Sequence, residues 1–218
     1  MKNILQIIFG GAKKKAKKYF ELALMKKSQN DFEGALAAYN KAIELNKFGN
    51  NANVYYNRGN IKVKLNDFNG SIQDYSSALI GCNSNERHEV YFNRGNSYYD
   101  LKRFELAIQD YSNCLQLRKN YSPAYINRAL SFIEISEYEK AIPDIHDAIK
   151  YDAKELNARS SFYLAISYDN IKQPSKSLFW YESTLKYLTN DIGDFNNLIM
   201  KPKILERIAL LKKEVSKN

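Results

Sequence analysis

The segment from Tyr55 to Tyr75 reads YYNRGNIKVKLNDFNGSIQDY, and 36 residues further on the segment from Tyr91 to Tyr111 reads YFNRGNSYYDLKRFELAIQDY. A chain that repeats itself at a fixed period of this length folds as a row of similar units, because each unit can cover its apolar face only with a neighbour. The same frame places Phe32, Phe68, Phe104, Tyr138 and Pro174 at equivalent points, spaced by 36, 36, 34 and 36 residues. Counted this way, five repeats occupy residues 16–191 and begin near Ala16, Ala52, His88, Ser122 and Ala158. An apolar and basic segment, 1–15, precedes them, and 192–218 are expected to form a linker and a C-terminal capping helix.

Within the frame, size alternates with position. The eighth residues are Ala23, Gly59, Gly95, Ala129 and Ala165, and the twentieth are Ala35, Ser71, Ala107, Ala141 and Ser177. The twenty-seventh are Ala42, Ala78, Cys114, Ala148 and Thr184, while the twenty-fourth are large: Tyr39, Tyr75, Tyr111, Ile145 and Tyr181. The fourth residues are Tyr19, Tyr55, Tyr91, Tyr125 and Ser161. Spacings of three and four put these residues on one face of each of two helices, where small residues let the backbones approach and aromatics fill the remaining space. Asn30-Asp31 and Asn66-Asp67 mark the break between the two helices. Asn tolerates the left-handed conformation a turn requires, and Asp caps the helix that follows.

These residues resemble the tetratricopeptide repeat family over residues ~16–190 by the length of the repeat and its pattern of small and aromatic positions. The resemblance implies an all-α fold, an α-solenoid of antiparallel helical hairpins in a right-handed superhelix whose first helices line a concave groove. The departures fall in the last repeat, where Ser161 replaces the first-helix aromatic and Pro174 opens the second helix. After it, Pro202 is suited to start a helix, and Ile204, Leu205, Ile208, Leu211 and Val215 form an apolar stripe expected to cover the last repeat.

Two polar patterns recur in the three middle repeats only. Arg58, Arg94 and Arg128 stand at the seventh residue where Asp74, Asp110 and Asp144 stand at the twenty-third. In the outer repeats these places hold Leu22 with Ala38 and Leu164 with Trp180, so the two charges appear and vanish together. A lone buried Arg is costly, which predicts structural ion pairs between the helices of a repeat or between adjacent repeats. The second pattern is Asn57, Asn93 and Asn127 at the sixth residue with Asn60 and Asn96 at the ninth. Residues three apart share a helix face; the resemblance makes that face the groove, flanked by Tyr56, Phe92 and Phe162, with Arg159 at its far end. A carboxamide both donates and accepts, so such a ladder suits the backbone of an extended peptide. A chaperone-type carboxylate clamp is a poorer fit: Asn96, Asn127 and Arg159 match it, but Phe92 and Tyr163 stand where basic residues belong.

The net charge of +9 raises the question of nucleic acid, and its distribution answers it. Residues 1–30 carry +7 and residues 201–218 carry +4, whereas 31–200 carry −2. A surface that tracks phosphates needs basic residues along its body, so nucleic acid is not the expected partner. Ile4, Leu5, Ile7, Ile8 and Phe9 followed by Lys13, Lys14, Lys15, Lys17 and Lys18 are too short for a secretory signal. They suit either packing on the first helices or, through residues 1–18, a seat on an anionic membrane surface. Two cysteines, Cys82 and Cys114, and two histidines, His88 and His146, leave no metal, disulfide or nucleophile pattern. The expectation is a cytoplasmic, non-enzymatic, cofactor-free module that binds a protein or peptide partner. Its alternative is an adaptor held at a membrane by its N-terminus.

Overall fold

Small residues at fixed spacing require helices that touch closely, and the structure consists of such helices. It is a computed structural model that describes residues 2–47, 49–188 and 195–216. The elements are α1 (Lys2–Ser28), α2 (Phe32–Leu45), α3 (Ala52–Lys64), α4 (Phe68–Gly81), α5 (Arg87–Asp100), α6 (Phe104–Leu117), α7 (Ser122–Glu134), α8 (Tyr138–Tyr151), α9 (Ala158–Asn170), α10 (Pro174–Leu188) and α11 (Phe195–Val215). One 3-10 turn, Ala153–Glu155, links α8 to α9, and there is no strand among the described residues. The helices pair as consecutive antiparallel hairpins, the solenoid arrangement expected from the repeat. They fall into two compact units, residues 1–117 with α1 to α6 and residues 118–218 with α7 to α11.

The turn inside each hairpin is the same in all five repeats. Asn30, Asn66, Lys102, Ser136 and Lys172 have φ of 60°, 60°, 57°, 61° and 56°. In each case the next amide reaches back across six residues: Asp31 N to Lys26 O at 3.0 Å, Asp67 N to Lys62 O at 2.8 Å, Arg103 N to Tyr98 O at 2.9 Å, Glu137 N to Phe132 O at 2.8 Å and Gln173 N to Tyr168 O at 2.9 Å. This is the Schellman closure, which satisfies carbonyls that a helix end otherwise leaves open. The Asp caps read from the sequence are present: Asp31 and Asp67 accept from Gly34 N at 2.8 Å and Gly70 N at 2.9 Å.

Every one of the small positions is buried. Ala23, Ala35, Ala107, Ala141, Ala165 and Cys114 are fully enclosed, and the large twenty-fourth residues Tyr39, Tyr75, Tyr111 and Ile145 are too. Burying a side chain of that size is worth about 1.5–3 kcal/mol, so the column of twenty-fourth residues holds each hairpin to its own first helix. The fifth residues complete it, with Phe20 on Tyr39 at 5.9 Å, Tyr56 on Tyr75 at 6.1 Å, Phe92 on Tyr111 at 5.9 Å and Phe162 on Tyr181 at 6.2 Å between ring centroids.

Both ends depart from the sequence reading. No break separates 1–15 from the first repeat, because α1 runs through Ala16 as one helix of 27 residues. At the other end, Pro202 does not start a helix; it lies inside α11, which begins at Phe195. Proline removes one main-chain hydrogen bond from a helix interior, and the helix persists because burial of Ile204, Ile208 and Leu211 against Ala165 and Tyr181 holds it. Leu205, counted in the apolar stripe, is 49% exposed, since it sits a residue away from Ile204 and so about 100° around the helix. The linker residues 192–194 lie outside the described residues.

Candidate functional site

In the first unit, Arg58 and Arg94 rise from α3 and α5 and fork onto a carboxylate of the second helix of their own repeat. Arg58 donates to Asp74 from Nε at 2.8 Å and from Nη2 at 2.6 Å, and Arg94 to Asp110 at 2.7 and 2.8 Å. In the second unit Arg128 does the same to Asp144, at 2.7 Å twice. Asp74 and Asp110 are 2% exposed and Asp144 is 5% exposed. Burial pushes the Asp144 carboxyl up, against the pull of Arg128. A two-pronged contact satisfies both oxygens of each buried carboxylate, which makes the pair tolerable where a single charge is not. The remaining arginine nitrogen binds the preceding repeat in the first unit: Arg58 Nη1 to Asn40 Oδ1 at 2.7 Å and Arg94 Nη1 to Ser76 Oγ at 2.9 Å. These side chains thus tie helix to helix and repeat to repeat.

The asparagines divide into those that hold the core and those that face out. Tyr75 Oη, sealed beneath α3, donates to Asn60 Oδ1 at 2.7 Å, and Tyr111 Oη donates to Asn96 Oδ1 at 2.8 Å. Asn93 Nδ2 reaches both Tyr56 Oη at 3.0 Å and Asn60 Oδ1 at 3.4 Å, linking α5 to α3. Tyr56 Oη in turn donates to Glu89 Oε2 at 3.4 Å. Asn57 donates to the main chain of its own helix, Asn53 O at 2.8 Å. The sequence grouped these residues by helix face and could not show the tyrosine hydroxyls, which lie 15 residues away and meet the asparagines only once the hairpin closes.

This network partitions the face of α3 and α5 into two depressions. One, of about 430 Å³, is lined by Asn60, Asn93 and Asn96 with Lys27, Lys64 and the edge of Tyr75. The other, of about 210 Å³, is lined by Tyr56, Asn57, Phe20, Cys82, Glu86 and Glu89. A third, of about 510 Å³, opens beside the latter and shares Phe20 and Asn53 with it; Lys13, Lys14 and Lys17 lie on its rim. Phe92 is half-buried on Tyr111, and so is turned toward the core as much as toward the face.

In the second unit the expected residues have separate surroundings. Phe162 packs on Tyr181 and belongs to the core that α11 closes. Arg159 lies exposed over the ring of Tyr163, 5.8 Å from its centroid. Asn127 is half-buried on α7, and its main-chain oxygen accepts from Ser131 Oγ at 2.8 Å. A further forked pair, absent from the sequence reading, joins α11 to α9, with Arg207 donating to Asp169 at 2.8 and 2.6 Å. It joins helices 38 residues apart that share no repeat pattern.

Burial pushes the Cys82 thiol up and so keeps it protonated. Burial also lowers the pKa of His146, whose ring sits 5.9 Å from that of Trp180. Among the described residues no cluster of His, Cys, Asp and Glu is placed to hold a metal, and no helix is long and apolar enough to cross a membrane.

Two sequence models match the chain, the tetratricopeptide repeat over residues 88–121 and the TPR repeat over residues 23–66. No curated protein sequence matches it significantly. Solved structures share its fold at low identity. A tetratricopeptide repeat protein from Parabacteroides merdae superposes with a TM-score of 0.75 at 18% identity, covering 94% of this chain and 78% of that one. The MamA protein does so with 0.72 at 19% identity, covering 79% and 91%. YrrB, described as a TPR protein with an unusual peptide-binding site, gives 0.71 at 20% identity, covering 85% and 90%.

Proposed function

We propose that this chain, which carries tetratricopeptide repeats at residues 23–66 and 88–121, is a non-enzymatic scaffold that holds an extended peptide segment of a partner protein against the exposed face of α3 and α5. Repeats of this family serve as protein-interaction modules, and one structural neighbour carries a peptide-binding site. The observation that carries the reading is the depression lined by Asn60, Asn93 and Asn96, whose amides are held in place by Tyr75, Tyr111 and Tyr56. Amides fixed in advance lose little freedom when a ligand arrives.

The same bonds limit the affinity. Each hydrogen bond is worth about 0.5–1.5 kcal/mol net, and micromolar binding needs about 8 kcal/mol. Asn60 Oδ1 already accepts twice, so apolar contact with Tyr56, Phe20 and Phe32 beside the amides supplies most of the binding. The test is affinity purification from the native source with the wild type and with the Asn93→Ala, Asn96→Ala double variant. Loss of specific partners is expected; an unchanged partner list rejects the groove.

A second reading, an adaptor held at a membrane surface, is favoured by one observation: Lys13, Lys14, Lys15, Lys17 and Lys18 are all exposed on α1. Anionic vesicles that sediment the full chain but not one starting at Ala16 support it, and equal sedimentation rejects it.

A further inference from the structure

The depression of about 510 Å³ in the first unit is not the one the asparagines line. It opens between α1, the end of α2 and the start of α3, and its floor is Ala16, Phe20, Ala42 and Val54. Its wall is rigid. Asn46 Nδ2 donates to Asn51 Oδ1 at 2.8 Å, and Asn51 Nδ2 donates to Asn46 O at 3.0 Å. Asn50 holds Gly81 O and the Ala52 amide, both at 2.8 Å. With their amides engaged within the protein, these residues shape the depression and leave its chemistry to the floor and the rim.

The rim is Lys13, Lys14 and Lys17. Among the described residues, no carboxylate pairs with Lys13 or Lys14, and Lys17 has only Glu21 at 3.9 Å, both groups well exposed. Lys26 and Lys41, by contrast, are closely paired with Asp31 and Glu44. Across Phe20, the adjoining depression carries the opposite sign, from Glu86 and Glu89. An apolar floor thus lies between a cationic edge and an anionic edge. Such a surface selects a ligand of matching polarity, because like charges placed opposite one another are rejected.

We propose that this depression is a docking site for a partner segment whose apolar side chain is flanked by acidic residues on one side and basic residues on the other. The apolar side chain fills the floor on Phe20 and Val54, the acidic residues lie over Lys13, Lys14 and Lys17, and the basic residues lie toward Glu86 and Glu89. The proposal rests on the peptide-scaffold reading and names the chemistry of the segment at the first-repeat end of that face. It uses none of Asn60, Asn93 and Asn96, which line the depression that carries that reading, so it can fail while that reading stands.

The test is fluorescence anisotropy of the full chain at low salt with three labelled short peptides. Each has a central Leu, flanked by Glu on one side and Lys on the other, by Glu on both sides, or by Lys on both sides. The two-signed peptide is expected to bind tightest and the all-Lys peptide weakest. Combining Lys13→Glu, Lys14→Glu and Lys17→Glu should weaken the two-signed peptide roughly tenfold, given that each exposed pair contributes little alone. These lysines are exposed, so the far-UV spectrum and melting curve are expected to be unchanged. Glu86→Lys with Glu89→Lys should strengthen the all-Glu peptide and weaken the two-signed one. Equal affinity for the two-signed and all-Glu peptides, or no response to the lysine reversals, overturns the proposal. So do phosphatidylserine vesicles that capture the chain through these lysines while no peptide binds. Asn96→Ala, which alters the asparagine-lined depression and touches neither of the two used here, should leave peptide affinity unchanged; if it abolishes binding, the groove and not this depression is the site.

Discussion

The first repeat and the two that follow it have the same backbone turn and the same sealed tyrosine, and they differ in what that tyrosine touches. Tyr75 and Tyr111 give their hydroxyl protons to Asn60 and Asn96. Tyr39 is equally buried, but the matching ninth residue is Leu24, and its hydroxyl has no partner among the described residues. Burial alone pushes that phenol up to about 12. The eighth residue changes in step. It is Ala23 in the first repeat but Gly59 and Gly95 in the next two, where an added Cβ would stand 2.8 Å from the tyrosine ring. The Arg–Asp fork is missing from the first repeat as well, with Leu22 and Ala38 in its place. The aromatic and small positions are therefore sufficient to make the hairpin. The glycine, the asparagine and the ion pair form a separate layer, which fixes the tyrosine ring and locks neighbouring repeats together.

That separation is open to direct attack. Asp110→Ala strands Arg94 without its carboxylate and should cost about 3 kcal/mol, read from urea denaturation. Arg94→Leu with Asp110→Leu should cost less than the two single changes summed, and strict additivity would show that the fork is not a pair. Gly95→Ala should destabilise by about 1–3 kcal/mol through the clash with Tyr111. If instead it stabilises, as helix propensity alone predicts, the close approach is not a constraint. Tyr75→Phe should cost about 1 kcal/mol, because it leaves an amide oxygen short of a donor, whereas Tyr39→Phe should cost nothing or stabilise slightly. Equal losses at the two sites would erase the distinction between the repeats. The smallest effect is expected from Leu24→Asn, which offers Tyr39 an acceptor. A gain of about 0.5 kcal/mol that disappears in the Tyr39→Phe background would show that the bond has formed.

The hairpins could be read from the sequence because their determinant is steric and periodic: Ala23, Ala35 and Tyr39 recur with their counterparts at spacings only helices satisfy. The forked ion pairs were legible for a different reason, since Arg58 and Asp74 are present or absent together across repeats. Features that break or outrun the period have no such signature. Arg207 and Asp169 occur once. The backward extension of α11 to Phe195 runs against the local signal of Pro202 and is held by packing at Ile208 and Leu211. The left-handed positions of Lys102, Ser136 and Lys172 have no Gly or Asn to announce them; the main-chain bonds that close the turn hold their conformation. At the candidate site, the asparagines were legible as a group but not in their division of labour. That depends on which of them meets a tyrosine hydroxyl from the other helix.

Five residues with side chains in the left-handed region leave this protein below the stability its architecture permits. A lysine or serine in that conformation costs on the order of 1 kcal/mol relative to glycine. The expense recurs at Lys102, Ser136 and Lys172, which are exposed and which line none of the three depressions. Thermal resilience is therefore adjustable at these three hairpin bends without altering any surface a partner is proposed to touch.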